Sequence, residues 1–426
     1  MDDDTPIAIP LLGSMNRRRF LGVAGVGGAA LAATAWVRPG ALLDRAAAAT
    51  STTTTTSNVV VHIFLRGGAD GLSFVTPLGD GTLARLRPGV VIPDAAALPL
   101  DARFGLHPAM VRIKGLFDSG QAAFVPAAGS PDPNRSHFAA QSMMERATVG
   151  GTNVSTGWLG RYLQATTDGR EDPLRALGIG NGLALSLAGS TAVASPNLQS
   201  LALTSAGTGA SSTQLQRALR ELYPSAPSPL LRTGASAGLD IVAEVAPIVA
   251  SAAPPATWPG GFGTALWPIA KLLADGFPLE VATADLGGWD EHDAMGSPTD
   301  PNANQTRLVA GLDAAIGAFF DWIGGAAART TVIVTTEFGR RIALNGSGGT
   351  DHGRGMVMMV LGGGVRPGVH GDWPGLTDTD AGDVRVTNDY RRVFAEVLGR
   401  RGRSTDLAAV FPGVDVGPST WLGVMT

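Results

Sequence analysis

The sequence predicts an α/β fold with a mostly parallel central sheet and helices on both faces. Two features predict it. Short runs of β-branched and apolar residues without polar alternation recur along the chain, as in strands buried on both faces. Between several of them lie segments with apolar residues at helical spacing, the pattern of βαβ units. A third feature says where function lies: acidic residues follow the strand runs directly, at the edge where open α/β sheets bind ligands.

The elements follow in chain order. Asn16-Arg17-Arg18-Arg19-Phe20-Leu21 precedes an uncharged run rich in Gly and Ala over 22–37 and a string of alanines at 46–49. A basic start, a short weakly apolar stretch and small residues read as an export signal over 1–48, and paired arginines before Phe-Leu mark the twin-arginine type. The apolar run is too short and too rich in glycine for a stable membrane span. Residues 49–57 form a Thr/Ser-rich spacer. A single domain is expected over 58–426, delivered by the twin-arginine translocase to the periplasm, the cell envelope or the medium. Its strands are expected at 59–65, 122–126, 176–179, 279–284, 331–336 and 356–361. Helices are expected at 108–119, 136–147, 214–222, 306–324 and 389–398. The Ala-, Ser- and Pro-rich stretch at 224–261 reads as an insertion or surface excursion.

Composition narrows the chemistry. An apolar share of 44% in 426 residues excludes a disordered chain. A formal charge of −4 excludes nucleic acid as a partner, because neutralising phosphates takes a basic face. With no cysteine, thiolate metal sites and disulfides are impossible, so a metal must be held by carboxylates, imidazoles, hydroxyls or carbonyls. No Gly-x-Gly-x-x-Gly spacing or P-loop occurs, which removes dinucleotide and nucleotide readings.

Asp70 follows the first strand, Asp285, Asp290 and His292 follow the run at 279–284, and Glu337 follows 331–336. Asp351-His352 adds a carboxylate and an imidazole before 356–361. Carboxylates gathered at one rim repel unless a cation or shared proton neutralises them. A divalent metal is the economical reading: oxygen and imidazole sets suit Zn, Mn or Fe, and pure oxygen sets suit Mg or Ca. Ser136 opens a helical pattern, where free N–H groups favour an anion, and it doubles as a cap candidate. His137 is a ligand or base candidate, and Arg340 and Arg354 could hold an anion in transit. His62, mid-strand among Val and Ile, reads as core; His107 reads as structural, and His370 as a turn residue.

Seven blocks then carry a resemblance: LRGGADGLSFVTP (65–77), FGLHPAM (104–110), PNRSHFAAQSMMERA (133–147), LGGWDEH (286–292), TTEFGRR (335–341), GTDHGRG (349–355) and NDYRRVFAEVL (388–398). Together they resemble an exported bacterial family, domain of unknown function fifteen hundred and one, placed in the alkaline phosphatase-like superfamily with phosphatases and sulfatases. The resemblance implies an alkaline phosphatase-like fold holding one or two divalent ions (Zn, Mn, Mg or Ca), with Asp70, Asp290, His292, Glu337, Asp351 and His352 as ligands. It implies Ser136 as nucleophile, supported by His137 and Arg340. Phe338 stands where many relatives carry a ligand histidine, which implies one altered metal site. The expected activity is metal-dependent hydrolysis of phosphate or sulfate esters through Ser136 and a metal-activated water, on a small anionic ester or a sulfated or phosphorylated glycan. The alternative is a non-catalytic metal- or glycan-binding envelope protein on the same fold.

Overall fold

A computed structural model describes residues 57–426 apart from 151, 167–174, 202–211, 226–228, 251–252 and 404–405. The export signal and nearly all of the spacer, residues 1–56, lie outside the described residues. The central sheet is built from β1 (Val59–Leu65), β2 (Ala122–Gly129), β3 (Ala176–Ile179), β4 (Val193–Ser195), β5 (Val281–Leu286), β6 (Thr330–Thr336), β7 (Met356–Gly362), β8 (Gly368–Val369) and β9 (Asn388–Asp389). Among the described residues they form a nine-stranded sheet in the order β8-β2-β7-β6-β1-β5-β3-β4, with β9 also pairing β2. The pairs of β1 with β5 and β6 are parallel, and β7 runs antiparallel to both of its neighbours, β6 and β2. All strands except β7 therefore point the same way.

Alternation along β1 shows why its sequence is uniformly apolar. Val59, Val61, Ile63 and Leu65 enter one core layer, under α4 (Phe262–Ala274) and α5 (Asn304–Ile323). Val60 and Phe64 enter the opposite layer, against α3 (Trp158–Ala165) and α6 (Tyr390–Arg401). A strand covered on both faces has no solvent side to make polar. His62 shares the second layer, ringed by Phe64, Trp158 and Phe394, and its Nε2 lies 2.8 Å from Thr335 Oγ1. Burial, reinforced by the charge of Arg66, pushes its pKa down to about 3, so it is a neutral core residue.

The expected strands and helices are present, β1 and β3 with the expected ends and the others with shifted ones; 108–119 becomes α1 (Val111–Asp118), 279–284 becomes β5, two residues later, and 306–324 becomes α5. α3 and α4 were not expected. α4 carries Trp267 and Pro268 inside it, and its apolar residues show no polar stripe because most are buried. The 224–261 stretch holds a helix, Pro229–Ala250. The segment Asn304–Arg329 meets the length and apolarity of a membrane span, with a mean hydropathy of 1.3. Half of that window is packed inside the protein, as expected of a core helix.

Candidate metal centre

The reversal of β7 decides where the site forms. Its amino end, not its carboxyl end, lies on the rim where β1, β2, β5 and β6 finish, which brings Asp351-His352-Gly353 beside the loops that follow those strands. An isolated antiparallel bridge pairs Arg340 with His352 and fixes the register of the two loops. Two glycines permit the approach. A Cβ on Gly67 would stand 2.5 Å from the backbone nitrogen of Asp290, and one on Gly339 would stand 1.8 Å from the carbonyl of Gly355.

His137, Asp290 and His352 each offer a ligand atom, and these atoms lie within 4.8 Å of one another. These three side chains can hold a metal ion. His292 stands beside them: its Nε2 is 3.0 Å from His352 Nε2 and 2.9 Å from Asp290 Oδ1. His352 Nε2 lies 3.3 Å from Asp290 Oδ1, and His137 Nε2 lies 3.4 Å from Asp290 Oδ2. Neighbouring ligands on bonds of about 2.1 Å are separated by about 3.0–3.4 Å, so these spacings fit one shared ion.

Each imidazole is held from behind through Nδ1. His137 Nδ1 donates to Glu337 Oε1 at 2.7 Å, and His352 Nδ1 donates to the carbonyl of Arg135 at 2.9 Å. His292 Nδ1 faces Asp351 Oδ1 more loosely, at 3.4 Å. A carbonyl or carboxylate only accepts, so the proton must sit on Nδ1 and the Nε2 lone pair faces inward. One consequence favours a cation. His137 Nε2 is buried without a hydrogen-bond partner, a state that costs free energy unless something binds there. Burial lowers the pKa of His352 and keeps it neutral.

The supporting carboxylates differ in cause. Burial works against charge on Glu337, but bonds from Gln141, its own N–H, His137 and Gly67 outweigh it and hold its pKa below the ordinary value. Asp290 is likewise held low: its burial is opposed by Arg340, then by His137 and His292. Asn345 is the main cause of the depressed Asp351 pKa. Glu291 is displaced the other way, to about 8, by burial and then by the charge of Asp70. It lines a cavity of about 420 Å³ with Asp290, Asp293, Asn304 and Arg307, open to solvent beside the cluster.

The structure distributes the expected site residues unevenly. Asp290, His292 and His352 meet, and His137, expected in a catalytic role, supplies a third inward nitrogen. Glu337 and Asp351 stand behind the histidines rather than among the ligands. Asp70 caps the short helix Gly71–Phe74 and pairs with Arg87. Arg340 is buried: Nε donates to Gly68 O and Nη1 to Thr350 O, while Nη2 serves Gly67 O, Trp289 O and Asp290 Oδ1. It ties three loops together and keeps no edge for a passing anion. Arg354 pairs with Asp380. Ser136 is the exposed N-cap residue of α2 (His137–Arg146), and its hydroxyl makes no capping bond. Asn134 Oδ1 accepts from the Ser136 N–H at 2.8 Å and orders the approach to the helix. Phe338 contributes no ligand, and its ring packs on those of His137 and His352, with centroids 4.9 and 4.8 Å away. Asp285 pairs with Arg66. His107 is buried, with Nδ1 accepting from Ala109 N–H, and His370 bonds the carbonyl of Arg366.

Sequence reasoning missed Gln141 and Arg87. Gln141 lies one turn beyond His137 and reaches the same Glu337 oxygen at 2.8 Å, a pairing that i, i+4 spacing could have revealed. Arg87 carries no local signal; it meets Asp70 and the 341–342 backbone only through tertiary folding.

Fold and centre together define an α/β protein with a cluster able to hold a metal ion at the carboxyl rim of its sheet. More particularly, the chain belongs to the family described as protein of unknown function (DUF1501), whose model matches residues 57–412. No curated protein matches the chain.

Proposed function

We propose that the protein is an exported, metal-dependent hydrolase of phosphate or sulfate esters, on an alkaline phosphatase-like fold. The observation that carries this reading is the convergence of three imidazole Nε2 atoms and the Asp290 carboxylate at the rim of the sheet. Zinc, manganese or iron suits that donor set better than magnesium or calcium. The cluster is accessible: the side chains of Asp290 and His292 are 47% and 44% exposed. Structural metal sites are closed, whereas catalytic ones keep a position open.

When bound, the ion supplies Lewis acidity toward an ester oxygen. The Ser136 hydroxyl, free of capping duty and next to His137, is the nucleophile. Its oxygen forms a bond to phosphorus or sulfur as the ester's alcohol leaves, and water then cleaves the phospho- or sulfo-serine. The first-turn N–H groups of α2 favour the anion. A second reading, a non-catalytic metal- or glycan-binding envelope protein, is favoured by one observation: Arg340 has every nitrogen committed.

Elemental analysis of the purified protein, with a screen of aryl phosphates, phosphodiesters and aryl sulfates, separates the two. Turnover that disappears in Ser136→Ala while metal is retained supports the enzyme. Bound metal without turnover on any ester refutes it and leaves the binder.

A further inference from the structure

We propose that the centre takes one divalent ion per chain, and that the buried guanidinium of Arg87 stands in for a second cation at Asp70. This rests on the metal reading above and deepens it. Asp70 lies in the rim loop that leaves β1, where a carboxylate could reach a second ion. A carboxylate offers about four lone-pair sites, and all four of those on Asp70 are engaged. Oδ1 accepts from Leu72 N–H at 3.3 Å and from Arg87 Nη2 at 3.1 Å; Oδ2 accepts from Ser73 Oγ at 2.7 Å and from Arg87 Nη1.

Arg87 is held there as firmly as Asp70. It is the C-cap residue of the helix Gly81–Leu86, its side chain is 2% exposed, and it also donates to the carbonyls of Ile342 and Arg341 at 2.7 and 2.8 Å. A planar guanidinium matches a carboxylate through two parallel bonds and cannot be deprotonated in a protein. Its positive charge is therefore permanent and leaves no vacancy for a metal.

The rim carboxylate after β6, Glu337, is equally committed. Glu337 Oε1 accepts from Gly67 N–H, His137 and Gln141 at 3.0, 2.7 and 2.8 Å, and Oε2 lies 3.0 Å from Thr336 Oγ1. Phe338 fills the next position with a ring. Among the described residues, His137–Asp290–His352 and Asp290–His292–His352 both use the single Nε2 lone pair of His352, which serves one ion.

The test is metal stoichiometry of the purified chain, loaded with zinc or manganese and freed of excess by gel filtration, then measured by elemental analysis. One equivalent is expected for the wild type and for Asp70→Asn, with the variant lowered in melting temperature. His352→Ala is expected to fall well below one. Two equivalents in the wild type, or loss of an ion in Asp70→Asn, would overturn the single-ion proposal while leaving a metal centre in place. No binding of either metal overturns the metal reading itself, and with it this proposal. If Asp70→Asn does not fold, the wild-type count still decides between one ion and two.

Discussion

Glu337→Gln is the most informative single change, because it alters one atom and leaves the volume of the side chain intact. In the native chain Oε1 accepts from His137 Nδ1 at 2.7 Å, which fixes the proton on Nδ1 and aims the Nε2 lone pair at the cluster. Glutamine retains one oxygen, which the Gly67 N–H claims at 3.0–3.2 Å. With its oxygen toward His137 it would turn the N–H₂ to Thr336 Oγ1 and leave His137 Nδ1 only a neutral acceptor; with its N–H₂ at the Oε1 place it faces His137 and Gln141 together and donates where the carboxylate accepted. That favours the opposite tautomer and turns an N–H toward the ligand position. Losing an outer partner of a ligand histidine costs about 10–100-fold in metal affinity, or about 1.4–2.8 kcal/mol. Competition with a chromophoric chelator reads this directly, with His137→Ala as the reference for complete loss of the ligand. Glu337→Gln binding zinc within twofold of wild type would show that Glu337 does not set the orientation of His137.

Two further outcomes follow from buried charge and buried neutrality. Arg340→Lys keeps the charge but loses the fork that reaches Gly67, Gly68, Trp289, Thr350 and Asp290, and the expected cost is about 1–3 kcal/mol for a buried carbonyl left unpaired; a urea midpoint unchanged from wild type would refute its role as the tie between loops. His62 is held neutral, with its pKa lowered from 6.5 to about 3. Below pH 6.5 the unfolded chain binds a proton there that the folded chain refuses. Its contribution is therefore intact above pH 6.5 and declines as pH falls, by about 2 kcal/mol between pH 6.5 and 5. Urea titrations at pH 7.5 and 5 should show a smaller acid loss in His62→Leu than in wild type, and equal losses would refute the assignment.

The sheet and the acids at its rim were legible because uninterrupted apolar runs show where buried strands end, and Asp290 and Glu337 stand just beyond those ends. What each acid does there was not legible. Asp70 and Asp290 look alike in sequence, yet one meets Arg87 from a helix that packs across it and the other meets three imidazoles. His137 and Ser136 sit together at a helix start; which of them faces the rim depends on how α2 is rotated against β6, and that is a matter of tertiary packing. Phe338 was visible as a non-ligand, but its stacking on His137 and His352 was not.

Strand direction is the deepest of these hidden variables. Apolar runs carry no arrow, and a run such as 356–361 reads the same whether it ascends or descends. Had β7 been parallel to its neighbours, Asp351 and His352 would lie at the opposite edge, one strand length of seven residues away, or about 23 Å. The connection between β6 and β7, 337–355, is long enough for a crossover but contains no helix, and within it the Gly353 N–H donates to the Gly339 carbonyl at 2.8 Å. A segment folded back on itself in this way suits an antiparallel return better than a crossover, which needs about a dozen residues and usually a helix. That return delivers His352 to Asp290, with Arg340, placed opposite His352 by the same turn, holding the Asp290 carboxylate. The cluster able to hold a metal ion is thus a consequence of one strand reversal, and residues whose importance looks purely architectural, Gly339 and Gly353 above all, control whether its side chains meet.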